Sequence, residues 1–268
     1  MAFVGNPPMD RPEADEVHVS CTFTWDLPEA HRLVKEWGQF YPVVKIGGPA
    51  LETPLGPFVP GRYLMEGVTF TTRGCNKKCP WCLVPKREGL LAEIQDFPDG
   101  YIIQDNNLIQ SGRDHMLKVF AMLDRQRRAA VFSGGIDATL VDQWFVDQLK
   151  GIRVNSVFLA ADTLGALKPL ARAVDLLSFL GRKKIRSYTL IGFNGESIDK
   201  AEHRLESVWA LGSMPFAQLY QPPDRFITYN HAWRTLAKKW SRPAIMVASH
   251  AEPKAVPVQE THPRLFVA

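Results

Sequence analysis

Cysteine is scarce in this chain: four in 268 residues, and none beyond Cys82. Three of the four are crowded together, so they do not form the paired framework that staples small secreted domains, and a reduced, cytoplasmic setting is the expectation. No apolar run approaches the roughly 20 residues that span a bilayer, so no membrane partner is expected. The opening Met1-Ala2-Phe3-Val4-Gly5-Asn6-Pro7-Pro8 lacks the basic, apolar and small-residue succession of a secretory leader. An excess of one charge is also missing. With 32 basic and 28 acidic residues the net charge is +4, which permits a phosphate-bearing or nucleic-acid partner without requiring one. The histidines are scattered, and none follows Cys82 at finger-like spacing.

What the chain does have is apolar mass and one conspicuous loop. Hydrophobic residues make up 46% of it, enough for one α/β domain with an extension. The loop is Thr71-Thr72-Arg73-Gly74-Cys75-Asn76-Lys77-Lys78-Cys79-Pro80-Trp81-Cys82, following the β-like run Val68-Thr69-Phe70-Thr71. Three thiolates spaced C-x3-C-x2-C can converge on a metal centre, either zinc or an iron–sulfur cluster. Structural zinc closes a tetrahedron of four protein ligands, and no obvious fourth ligand stands near. A four-iron cluster held by three cysteines keeps one iron open for a non-protein ligand, whereas electron-transfer clusters are normally held by four.

This loop resembles that of the radical S-adenosylmethionine enzymes, in which an aromatic residue, here Trp81, precedes the third cysteine. The resemblance implies a [4Fe–4S] cluster on Cys75, Cys79 and Cys82, with S-adenosylmethionine chelating the open iron. Reductive cleavage would then give a 5′-deoxyadenosyl radical that abstracts a hydrogen atom from a substrate. It also implies an external electron donor, flavodoxin- or ferredoxin-like. The strand and Gly47-Gly48 turn ahead of the loop resemble the module of the cobalamin-binding class, but its D-x-H-x-x-G run is missing. Arg73-Gly74-Cys75 and the following Lys86-Arg87 resemble the methylthiotransferases, whose second cysteine triad and RNA-binding appendage are not seen. With no later cysteine, one cluster is expected.

In chain order, residues 1–65 read as a Pro-rich acidic arm, a strand over 17–23, a helix over 28–40, a strand over 43–48 and a Pro- and Gly-rich linker over 51–63. Cys21 is expected to pack as a small apolar residue. Residues 66–222 alternate strand and helix. Strands are expected at 68–73, 101–105, 130–133, 156–162, 185–193 and 216–221, with helices at 112–126, 138–149, 164–180 and 197–211 and a shorter one within 83–94. Six strands with crossover helices predict a parallel sheet, which the resemblance sharpens to a partial (β/α)6 TIM-like barrel with a small N-terminal β-α-β extension. Residues 223–268 hold a helix capped at Thr228 or Asn230 and ending near Trp240, placed across the barrel opening, then a polar tail.

In such sheets the site lies at the carboxyl ends of the strands, and these ends are polar. A zwitterionic methionine with an adenosyl group needs acceptors, donors and an apolar slot. The candidates are Trp81, Asp105, Asn106, Asn107, Ser133, Gly134, Gly135, Asp137, Asp162, Ile191, Gly192, Gln218 and Tyr220. By resemblance, Asp105-Asn106-Asn107 occupies the position of a G-G-E-like run that grips the methionine amino group, Asp137 that of a residue near the carboxylate or ribose, and Ile191-Gly192 that of the adenine-lining segment. Asp137 serves equally as a helix cap. Gly192-Phe193-Asn194-Gly195-Glu196 lacks a Walker lysine and reads as a strand-to-helix turn. Basic runs at 125–128 and 182–186 read as solvated helix ends. Two other classes stay open: a non-catalytic iron–sulfur or zinc protein, and a nucleic-acid binder with a zinc knuckle. A nucleic-acid substrate of the enzyme is also possible.

Overall fold

The computed structural model describes residues 3–51 and 64–251. The linker expected at 51–63 and the tail from Glu252 lie outside the described residues, apart from Leu51. The chain begins with a small β-α-β unit: β1 (Val17–Ser20), α1 (Leu27–Gly38) and β2 (Val44–Gly47), the strands pairing in parallel from Val17 opposite Val44 to Ser20 opposite Gly47. α1 turns Leu27, Ala30, Leu33 and Val34 onto Val19, Cys21, Val44 and Ile46. Cys21 is buried, as its apolar surroundings predicted. Gly48 closes the unit with φ at +112°, and a Cβ there would stand 2.3 Å from the Cys21 carbonyl oxygen, so only glycine serves.

The rest runs β3 (Val68–Thr69), β4 (Thr72–Arg73), α2 (Val84–Arg87), β5 (Ala92–Glu93), β6 (Ile102–Ile103), α3 (Arg113–Arg125), β7 (Ala130–Phe132), α4 (Gln143–Lys150), β8 (Val154–Ala160), α5 (Leu167–Leu176), β9 (Ile185–Ile191), α6 (Ile198–Ala210), β10 (Met214–Leu219), α7 (His231–Ser241) and α8 (Pro243–Ser249). Six strands form one parallel sheet in the order β3, β6, β7, β8, β9, β10. Each member lies beside the next in the chain. The edges β3 and β10 do not pair, so the sheet is open.

Alternation along the strands divides the faces. Ile103, Phe132, Val157, Leu159 and Ile185 join α3, α4 and α5 in the main core, where Val119, Phe145, Leu149 and Leu170 are wholly buried. On the opposite face Phe158, Tyr188 and Phe216 form an aromatic group.

Several expected boundaries are corrected by hydrogen bonding. The first strand is broken. The Asp105 carboxylate accepts from the backbone N–H of both Thr71 and Thr72, withdrawing those donors from the sheet, and β4 instead pairs antiparallel with β5, which follows α2, the short helix expected within 83–94. α4 starts at Gln143 rather than Ala138 because Asp142 accepts from Phe145 N at 2.9 Å as its cap. The helix expected over 164–180 is regular only in α5, with 3-10 turns on either side. Asn230 caps α7, accepting from Trp233 N at 3.1 Å. That helix does not cross an opening: Leu236 and Trp240 pack with Met246, Ile191, Ala201, Met214 and Ala217, so it covers the β10 edge alongside α6. An apolar stripe alone could not say which face of the sheet it would meet.

Candidate functional site

The cysteine loop begins where the first strand of the sheet ends. Asp105, buried to 1% exposure at the end of β6, receives the Thr71 hydroxyl as well as the two backbone donors. His115 of α3, also buried, lies 3.2 Å from the same hydroxyl through Nε2. Burial pushes the Asp105 carboxyl above the usual carboxylate range and holds the His115 imidazole below its ordinary value of 6.5. These groups brace the root of the loop from beneath.

A second brace grips the loop from the side. Glu88, just after α2, pairs with Arg73 at 2.9 Å, accepts from Gly74 N at 3.1 Å and accepts from the Asn106 amide at 2.7 Å. Gly74 has φ at +77°, and a Cβ on it would lie 2.1 Å from the Leu90 carbonyl oxygen. Cys75 N donates to Gly89 O, Asn76 N to Gln110 Oε1 and Leu91 N to Asn76 Oδ1. The segment after the third cysteine thus folds back along the loop and fixes its start.

Cys75 is buried, and Cys79 and Cys82 are partly exposed; all three are free thiols. Lys77 N donates to Cys75 Sγ at 3.4 Å, and the Asn107 amide lies 3.9 Å from it. Burial raises the Cys79 and Cys82 thiols, and the neighbouring cysteines and Asp162 push them the same way. A cationic centre reverses that repulsion, since a coordinated thiol is deprotonated; three mutually repelling sulfurs with N–H donors aimed at one of them suit such a group. Among the described residues, no three Cys, His, Asp or Glu side chains are gathered as a single-ion cage.

No family model and no curated protein matches this chain. The site therefore stands on its own residues.

Asp162 stands near Trp81, and its carboxylate accepts from Leu190 N at 2.8 Å. Burial raises the Asp162 carboxyl, while Leu190 N, Arg204 and Trp81 oppose the rise. The Trp81 ring meets Phe193 edge-on at 5.4 Å, and Phe193 meets Tyr220 at 4.8 Å. An aromatic line thus runs from the cysteine loop across the carboxyl ends of β9 and β10. Asp137 pairs with Lys77 at 2.9 Å and accepts from Thr139 N and Oγ1, while its own N–H donates to Asn107 Oδ1. Burial would raise the Asp137 carboxyl, but Lys77 and Thr139 together hold it below its usual value. Asp137 is therefore tied to the cysteine loop rather than capping a helix.

The candidates divide accordingly. Trp81, Asn106, Asn107, Asp137, Asp162 and Tyr220 share the loop's surroundings. Asp105 is turned beneath it with its oxygens occupied. The Ser133 hydroxyl donates to Ile103 O, and Gly134 packs so tightly that a Cβ would lie 1.9 Å from Asp105 O. Ile191 is buried in the core behind β9, and its carbonyl accepts from Tyr220 N. Gly192 is left-handed and receives Tyr229 above it. Gln218 is exposed on β10. Glu88, His115 and Phe193 went unread as site residues. A lone acid inside Lys86-Arg87-Glu88 was a usable signal for the first; nothing local marks the other two. Lys78, Lys86 and Arg87 are exposed, whereas Lys77 is engaged by Asp137.

Proposed function

We propose that this chain is a radical S-adenosylmethionine enzyme with one [4Fe–4S] cluster on Cys75, Cys79 and Cys82. The observation that carries the proposal is the C-x3-C-x2-C loop, with Trp81 in place, at the carboxyl edge of a six-stranded parallel sheet. Carboxyl edges of such sheets are where ligands bind. Strands that succeed one another without reversal support reading the sheet as a partial (β/α)6 TIM-like barrel, with the unit of β1, α1 and β2 as its extension.

When bound and reduced by an external flavodoxin- or ferredoxin-like donor, the cluster supplies the electron that cleaves S-adenosylmethionine to the radical that takes a substrate hydrogen atom. The chain's own residues position and enclose. Cys75, Cys79 and Cys82 hold the cluster, and Lys77 N and the Asn107 amide temper the charge on Cys75 Sγ. Glu88 and Asp105 fix the loop. Asn106, Asn107 and Asp162 offer the polar partners a methionine zwitterion needs, and Trp81, Phe193 and Tyr220 exclude water.

The test is anaerobic reconstitution with iron and sulfide. About four irons per chain are expected for the wild type, and a large loss in Cys79→Ala. Zinc retained with no iron or sulfide overturns the proposal.

A further inference from the structure

The sheet face opposite the helices carries a cation that has no counter-ion among the described residues. Arg186, second residue of β9, stands opposite Phe158 in the ladder, with its guanidinium carbon 5.5 Å from the Phe158 ring centroid. It is half-buried and makes no hydrogen bond or ion pair among the described residues, and its Nε is enclosed without a partner. Around it the face is aromatic: Tyr188 stacks on Phe158 at 4.8 Å and meets Phe216 edge-on at 5.7 Å. The Tyr188 hydroxyl is already committed, donating to Ser133 O at 2.7 Å. The other arginine of this region, Arg204, lies on the helix side with its guanidinium bound to Glu196 and Leu190 O. Among the described residues Arg186 is left without an anion.

A half-buried guanidinium with its Nε enclosed and no anion among the described residues is unfavourably placed, and its planar fork suits carboxylate or phosphate. We propose that Arg186 and the Phe158–Tyr188–Phe216 face form a subsite for the anionic end of the substrate, a carboxylate or phosphate joined to a flat or apolar body. Position on the strand sets the substrate's length. Leu190, four residues further along β9, donates its N–H to Asp162, which stands by Cys79 and Cys82 of the cysteine loop; at 3.3 Å per residue that is about 13 Å from Arg186. The anion and the reacting carbon are separated by a span of that order, with the aromatic face between them. The span rests on the function proposed above; the anion subsite does not.

Binding is therefore tested on the full chain without cluster or S-adenosylmethionine, by calorimetric titration with phenyl phosphate, phenylacetate and neutral benzyl alcohol. One or both anions should bind, the stronger naming the substrate's charged group, while benzyl alcohol should not. Arg186→Gln should weaken binding about tenfold to a hundredfold, Arg186→Lys should keep part of it, and Lys184→Gln should leave it unchanged. Far-UV dichroism of each variant verifies the fold. Failure of both anions to bind the wild type, or equal binding by a folded Arg186→Gln, overturns the subsite. Neither outcome depends on whether the chain cleaves S-adenosylmethionine.

Discussion

Glu88 holds Arg73, Gly74 N and the Asn106 amide with one carboxylate. Its removal leaves partly buried donors unmet, which costs about 1–3 kcal/mol. Glu88→Ala should lose stability of that order in urea unfolding and retain less reconstituted iron than wild type; unchanged stability and loading would show the brace to be incidental. Gly74→Ala should be worse, because both φ and the Leu90 carbonyl forbid a Cβ. His115 sets a pH limit. Its imidazole is held below 6.5 by burial, with Glu93 and Asp105 only partly opposing, so the unfolded chain binds this proton more readily than the folded one. Stability should accordingly fall as pH drops below 6.5, with a slope of at most about 1.4 kcal/mol per pH unit from this residue. Denaturant unfolding of wild type and His115→Gln across pH 5 to 7 should show the shallower slope in the variant.

At the scale of elements, α7 closes the molecule at β10. Trp240 is wholly buried between α7, α8 and the sheet, and Trp240→Ala should cost about 3–5 kcal/mol. A cost below 1 kcal/mol in chemical unfolding would mean that α7 is only loosely applied. This helix also marks how far sequence reading went. Its span and its Asn230 cap followed from local chemistry, as did the spans of α1, α3 and α6, because 3.6-residue periodicity and turn residues are local signals. The parallel sheet followed from the alternation of strand and helix. The face α7 covers and the diversion of β4 to β5 depended on partners far along the chain, Asp105 above all, 34 residues from Thr71, and the start of α4 on Asp142 rather than Asp137 serving as its cap. The site was legible in the same proportion. The cysteines and Trp81 declare themselves by spacing, and the polar strand ends by position. The contact of Trp81 with Phe193 and the inward turn of Asp105 are products of the fold alone.

For the whole molecule, the β-α-β unit meets the main body through Thr24 Oγ1, which donates to Pro223 O at 2.6 Å, and through Trp25 against Phe226, 5.6 Å apart. A double-mutant cycle on Trp25 and Phe226 should give a coupling of about 0.5–1.5 kcal/mol, and a zero coupling would mean that the unit is independent of the body. No helix among the described residues is long and apolar enough to cross a membrane. The central claim is that the cysteine loop at the sheet's carboxyl edge performs reductive chemistry on S-adenosylmethionine. Its most direct test is chromatography for 5′-deoxyadenosine after the reconstituted protein is reduced with S-adenosylmethionine present, with Cys79→Ala alongside. The account predicts 5′-deoxyadenosine from the wild type and none from the variant. A loaded cluster that yields none, with and without anionic aromatic substrates, would contradict it.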